Sequence, residues 1–159
     1  MRIFANTLIL LFLWSISVNC QEVTIMGELL DFESNEPMQG VTIMESHTMN
    51  GITSDSLGKF QLHLIENNAQ VEFHFVGYYQ LDLVNVHTIK QLEVLKIKMV
   101  RDYSKYINVD FGFTNIKPDM KKHKQIEMEV LKKYRLSYNG YLLDPIIYGD
   151  KIVFDLKNN

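Results

Sequence analysis

The chain has 159 residues, 47% hydrophobic and 22% charged, with one cysteine, three prolines, eight glycines and a formal net charge of −3. These proportions are those of a globular protein and exclude a disordered, collagen-like or disulfide-dense chain. The length holds one domain with a sizeable core, or a small domain with an appendage, and excludes a multi-span transporter or an enzyme with a separate cofactor domain.

The N-terminus reads as a processing signal. Arg2 gives a short positive region, and residues 3–18 carry no charge. The densest apolar run, Leu8 to Trp14, is the length of a signal-peptide core, whereas a membrane span needs about twenty apolar residues. Residues 1–20 are therefore expected to direct export. Two processing routes stay open. Cys20 stands where a lipoprotein would be lipidated, although Asn19 is a poor match to the small residue that usually precedes such a cysteine. Cleavage after Cys20 would instead leave Gln21 as the new N-terminus. In either case one cysteine permits no internal disulfide, thiol pair or cysteine metal set, so the exported part must be stabilised by its core.

Charge divides the remainder. Residues 21–100 hold four lysines against eleven acids, and residues 101–159 hold eleven basic residues against eight acids. Packing of the two halves on each other explains this division, as does contact of the basic half with an anionic envelope surface. Nucleic acid is not an expected partner of an exported chain.

Strand patterns dominate the acidic part. Apolar residues alternate with polar ones around Val23–Leu29, Val41–Ile43, Phe60–Leu64, Val71–Phe75, Tyr79–Leu83 and Leu95–Met99, which gives each strand one buried and one wet face. Turn chemistry separates them at Glu33–Pro37, Asn50-Gly51, Asp55–Gly58 and Glu66–Asn68. Short strands at this spacing with no helix among them predict a β-sandwich. The basic part is mixed. Ile107, Val109, Phe111 and Phe113 alternate as a further strand. Pro118 and Asp119 open a helix whose apolar stripe runs through Met120, His123, Ile126, Val130, Leu131 and Tyr134. Ile146–Tyr148, Gly149-Asp150 and Lys151–Phe154 then read as a hairpin.

The turns of the acidic part carry an ordered pattern: Thr24–Leu29, Glu36–Ile43 with Gly40, Gly51–Phe60 with Asp55 and Gly58, and Phe73–Tyr78 with Gly77. This resembles the carboxypeptidase regulatory-like domain, a transthyretin-like β-sandwich of exported envelope proteins, over about residues 22–100. The resemblance implies an all-β sandwich of about seven strands at residues 21–100, followed by a small α+β extension (strand, helix, hairpin) at 101–159. It also implies an accessory role, since such domains accompany a peptidase or a transporter. The motif residues read as structural. Gly58 is free to take a positive φ in the turn that Asp55 begins.

Several groupings could carry chemistry. His63, Glu72 and His74 would share a wet face if their strands formed one hairpin, and could then hold a divalent cation; a plain polar face fits the same residues. His123 and Glu127, four apart on the helix, read as an intrahelical pair. Lys121, Lys122, Lys124, Lys132, Lys133 and Arg135 form a basic helix face, either solvated or resting on anionic lipid or glycan. Tyr78, Tyr79, Tyr103 and Tyr106 either cap the sandwich edge or offer rings for a sugar or a peptide. No serine-hydrolase elbow, zinc-protease motif, phosphate loop or calcium loop is present in the sequence, and no carboxylate pair is singled out. No cofactor is expected. The sequence thus points first to a non-enzymatic exported envelope module that binds another macromolecule, a protein. A carbohydrate-binding module using the tyrosines comes second, and a small hydrolase with a site between sandwich and extension third. Membrane contact is expected only through a lipidated Cys20 or the basic helix face.

Overall fold

The computed structural model describes residues 23–65, 69–86, 94–102, 131–138, 141–149 and 151–157, with 125, 128 and 129 singly. Cys20, Tyr103, Tyr106, the expected strand at 107–113 and most of the expected helix, with His123 and Glu127, lie outside the described residues.

Period-two sequences become strands here because each alternate side chain has a core to enter. The strands are β1 (Val23–Asp31), β2 (Thr42–Glu45), β3 (Gly51–Thr53), β4 (Lys59–Leu64), β5 (Val71–His74) and β6 (Gln80–Val84). They continue with β7 (Val94–Met99), β8 (Leu136–Tyr138), β9 (Tyr141–Leu143), β10 (Ile146–Tyr148) and β11 (Lys151–Asp155). β4 alternates strictly between exposed and buried, with Phe60, Leu62 and Leu64 inward. A three-stranded sheet has the order β4-β1-β7, and a six-stranded sheet the order β10-β11-β6-β5-β2-β3. β8 and β9 form a separate hairpin.

The two larger sheets pack face to face as an all-β sandwich. Ile25, Leu29, Phe60, Leu62, Leu95 and Ile97 from one sheet meet Ile43, Phe73, Leu81, Leu83, Ile152 and Phe154 from the other in one core. Phe60 and Phe73 make contact across the interface, edge to face with centroids 5.5 Å apart. Burying each such side chain contributes about 2 kcal/mol before entropy is charged against it.

The expected hairpin between His63 and His74 does not form. β4 pairs with β1, and β5 pairs with β2 and β6, so the two strands belong to opposite sheets. The expected C-terminal hairpin is present as β10–β11, and Gly149 takes a φ of 60° in its turn.

The described part of the extension enters the sandwich. β11 lies parallel to β6, with Ile152 opposite Leu81 and Phe154 opposite Leu83. Leu131, Tyr134, Leu136, Tyr138 and Leu143 join the same core. The buried ring of Tyr134 packs edge to face against Phe32 and Phe154, and its hydroxyl accepts a bond from the Lys98 backbone N–H at 3.0 Å. The helical residues 131–133 end where the Arg135 guanidinium donates to the carbonyls of Lys132 and Tyr134.

Candidate functional site

Sandwich edges expose unpaired backbone groups, so how each edge is finished bears directly on binding. One edge of the three-stranded sheet is β7, where the Tyr134 hydroxyl takes the Lys98 N–H. The other is β4, which the turn after β2 closes. Glu45 is fully buried, and its carboxylate accepts from the Ile65 N–H at 2.9 Å and from Asn50 Nδ2 at 2.7 Å. Asn50 also donates to the His63 carbonyl at 2.6 Å. Both ends of that sheet are thus tied to neighbouring elements by side chains.

β10 differs. It is an outer strand of the six-stranded sheet, with β11 on one side and, among the described residues, no strand on the other. Its three residues are all exposed: Ile146 at 42%, Ile147 at 38% and Tyr148 at 64%. Leu142 on β9 is also exposed. None of the three carries a charge, and Pro145 directly precedes them. The period-two reading of the sequence already places Ile146 and Tyr148 on one face and Ile147 on the other. It could not tell that this strand ends a sheet.

The outer face of the six-stranded sheet is polar and mostly self-satisfied. Ser46 donates to Glu72 Oε1 at 2.5 Å, and His74 Nε2 lies 3.0 Å from Glu72 Oε2. Burial pushes the Glu72 carboxyl up, but these bonds outweigh it and leave the group below its usual value. One strand over, buried Asp82 accepts from Gln70 and Gln80 and lies 3.8 Å from Lys151 Nζ. Beside this network Thr42, His74 and Gln80, with Phe75, Val76 and Tyr78, line an open cavity of about 390 Å³.

The residues singled out by sequence are therefore dispersed. Glu72 and His74 do come together. His63 sits on the other sheet, with Nδ1 2.7 Å from the Thr24 hydroxyl, because the hairpin expected to unite the three residues does not form. Among the described residues no group of three or more His, Cys, Asp or Glu is placed to hold a metal ion. Tyr78 and Tyr79, expected at the surface if they were to bind, are both buried. The cause is local. Gly77 takes a φ of 82°, its carbonyl receives the Asp102 N–H, and Tyr79 N–H bonds to the Val100 carbonyl, which draws both rings inward.

Tyr78 instead completes a cluster that the sequence did not announce. Its hydroxyl donates to Asp31 Oδ2 at 2.6 Å, and Arg101 Nε donates to the same oxygen at 3.0 Å. The N–H groups of Glu33 and Ser34 take Asp31 Oδ1. Burial alone would raise the Asp31 carboxyl, but the bonds from Tyr78, Ser34, Arg101 and Glu33 hold it at about 2. Burial and the neighbouring carboxylate push Tyr78 up to about 12. Each member is bonded to the others, so the cluster ties the end of β1 to the segment after β7.

A family model described as CarboxypepD_reg-like domain matches residues 25–110. The chain belongs to this family. The carboxypeptidase regulatory-like turns occur where the resemblance places them. Asp55 Oδ1 accepts from the N–H groups of Leu57 and Lys59, and Gly58 has a φ of 71°. No curated protein matches the chain. Two solved structures similar to it are type II cohesin–X-dockerin complexes from Acetivibrio cellulolyticus, one a C-terminal and one an N-terminal interface mutant. Each is 19% identical with a TM-score of 0.40. The first match covers 48% of this chain and 56% of the other, and the second 50% and 58%, so each spans little more than half the length of the matched chain.

Proposed function

We infer that this carboxypeptidase regulatory-like chain is a non-enzymatic, exported cell-envelope module that binds another envelope macromolecule, a protein, by accepting an extended segment on β10. The observation that carries this reading is the finish of the edges. Side chains tie both edges of the three-stranded sheet, while β10 presents Ile146, Ile147 and Tyr148 exposed and uncharged. Strand addition at such an edge takes its affinity from backbone bonds and its selectivity from alternate side chains. Here Ile146 and Tyr148 would read one face of the incoming strand and Ile147 the other. Export rests on the apolar run before Ser15; cleavage after Cys20 would release residues 21–159 to the envelope, and lipidation would instead keep Cys20 as an anchor.

Two other readings have less support. Sugar stacking on Tyr78 and Tyr79 loses its basis because both rings are buried. The Ser46–Glu72–His74 grouping gives a hydrolase no support, because its carboxylate lies in the middle and His74 is not the partner of the Ser46 hydroxyl.

The test is affinity capture from solubilised envelope of the source cell, using the chain tagged at its C-terminus. The reading predicts one dominant membrane protein retained at physiological salt, and its loss with Ile147→Lys but not with Lys96→Gln on the opposite sheet. Equal retention by both variants would refute the β10 edge, and retention on envelope polysaccharide alone would refute a protein partner.

A further inference from the structure

The cavity at the end of the six-stranded sheet is separate from the β10 edge and has a chemistry of its own. Three adjacent strands each contribute one side chain to its floor: Thr42 from β2, His74 from β5 and Gln80 from β6. Thr42 and His74 are direct cross-strand partners. Strands lie about 4.8 Å apart, so the three groups span about 10 Å in a row. Phe75 and Tyr78 form an apolar wall, edge to face at 5.4 Å, and Phe75 remains 36% exposed. Gly40 leaves the rim open, since a Cβ built there would meet nothing within 4 Å.

Among the described residues no acid, lysine or arginine lines the cavity. The acids beside it are already engaged, Glu72 by Ser46 and His74, and Asp82 by Gln70, Gln80 and Lys151. Gln80 uses its amide nitrogen on Asp82, which leaves its carbonyl oxygen as an acceptor. His74 uses Nε2 on Glu72, which leaves Nδ1. Among the described residues the Thr42 hydroxyl has no intramolecular partner. A row of hydrogen-bond donors and acceptors with no lysine or arginine in the lining, beside an exposed aromatic ring, matches neither a phosphate, which an arginine fork or lysine would hold, nor a purely apolar side chain. It matches a ring with hydroxyls on its edge and C–H groups on its face, and the volume lies within the range of small-ligand sites.

We propose that this cavity is a saccharide subsite, in which Thr42, His74 and Gln80 hydrogen-bond the hydroxyls of a neutral sugar unit whose apolar face rests on Phe75. This site does not depend on the protein-binding role of β10. The test is backbone-amide NMR of the chain titrated with maltotriose, cellotriose and chitotriose at millimolar concentrations, and with a sulfated oligosaccharide as a charged control. At least one neutral sugar is expected to shift the amides of Thr42, His74 and Gln80 while that of Ile147 stays in place. Thr42→Val, which keeps the side-chain shape, is expected to weaken that response about tenfold with the unfolding midpoint unchanged. Ile147→Lys is expected to leave the response intact, which separates this site from the β10 reading. The proposal is overturned if no neutral sugar shifts these amides, if the charged sugar alone does, or if Thr42→Val and Gln80→Ala together leave the response unaltered.

Discussion

Asp31 shows how one buried carboxylate joins distant parts of the chain. Tyr78 is 47 residues away and Arg101 is 70, yet both donate to Oδ2. Removing the phenol leaves that oxygen short of a partner in a buried place, so Tyr78→Phe is expected to cost about 2 kcal/mol, read by urea unfolding at pH 7. The pH dependence follows from the same bonds. The Asp31 carboxyl falls from 3.8 to about 2 on folding, so it binds its proton more weakly folded than unfolded. Its contribution of about 2 kcal/mol is therefore present above about pH 4 and is lost as the pH falls toward 2. Asp31→Asn should flatten stability across that window, and a variant as acid-sensitive as the parent would contradict the assignment. Little of this was legible beforehand. The sequence marks Tyr78 through the Gly77-Tyr78 turn, but a hydrogen bond over 47 residues has no local signature. The same gap separates His63 from His74: alternation gives a residue's face but not the sheet it joins.

At the level of elements, period two and turn chemistry located β1, β2, β4, β5, β6 and β7, because each has one buried face and a turn residue at its end. β3 has no such signature, since it has three residues, begins with Gly51, and packs Ile52 incompletely. The β8–β9 hairpin has strands too short for a period-two pattern, and Asn139-Gly140 between Tyr138 and Tyr141 is its one strong sequence signal. Its register, Tyr138 opposite Tyr141, fits a two-residue connection. Two turns lend themselves to measurement. A Cβ on Gly58 would collide with the Leu29 carbonyl at a φ of 71°, so Gly58→Ala is expected to destabilise by about 2 kcal/mol or more. Chemical denaturation checks this, and a neutral result would mean that the turn can shift. Glu45→Ala removes the buried carboxylate that holds Ile65 N–H and Asn50, with an expected loss of about 2 kcal/mol. Faster hydrogen exchange at Ile65 than at Ile25 would locate the damage at the β4 edge.

For the whole molecule, the unequal charge of the two halves has a structural counterpart. Arg101 and Lys151 come from the basic part and pair with Asp31 and Asp82 of the acidic part. The sequence pattern before Val100 looks complete, and on that ground residues 101–159 would be dispensable for folding. The packing argues otherwise, because Tyr134, Ile152 and Phe154 lie inside the core and β11 covers β6. A chain ending at Val100 is expected to lack cooperative unfolding, checked by calorimetry. A sharp transition in that fragment would show that the first part folds by itself. The same weaving gives the binding reading its shape: β11 fixes the C-terminal hairpin to the sandwich, and β10 is the side of the hairpin left to a partner.

The most direct measurement of that reading is hydrogen exchange on the chain alone and on its complex with the envelope protein it captures. The account predicts slowed exchange at the β10 amides that face away from β11, alternate residues of Ile146–Tyr148, with β4 and β7 unchanged. Protection confined to the three-stranded sheet, with β10 exchanging as in the free chain, would contradict it.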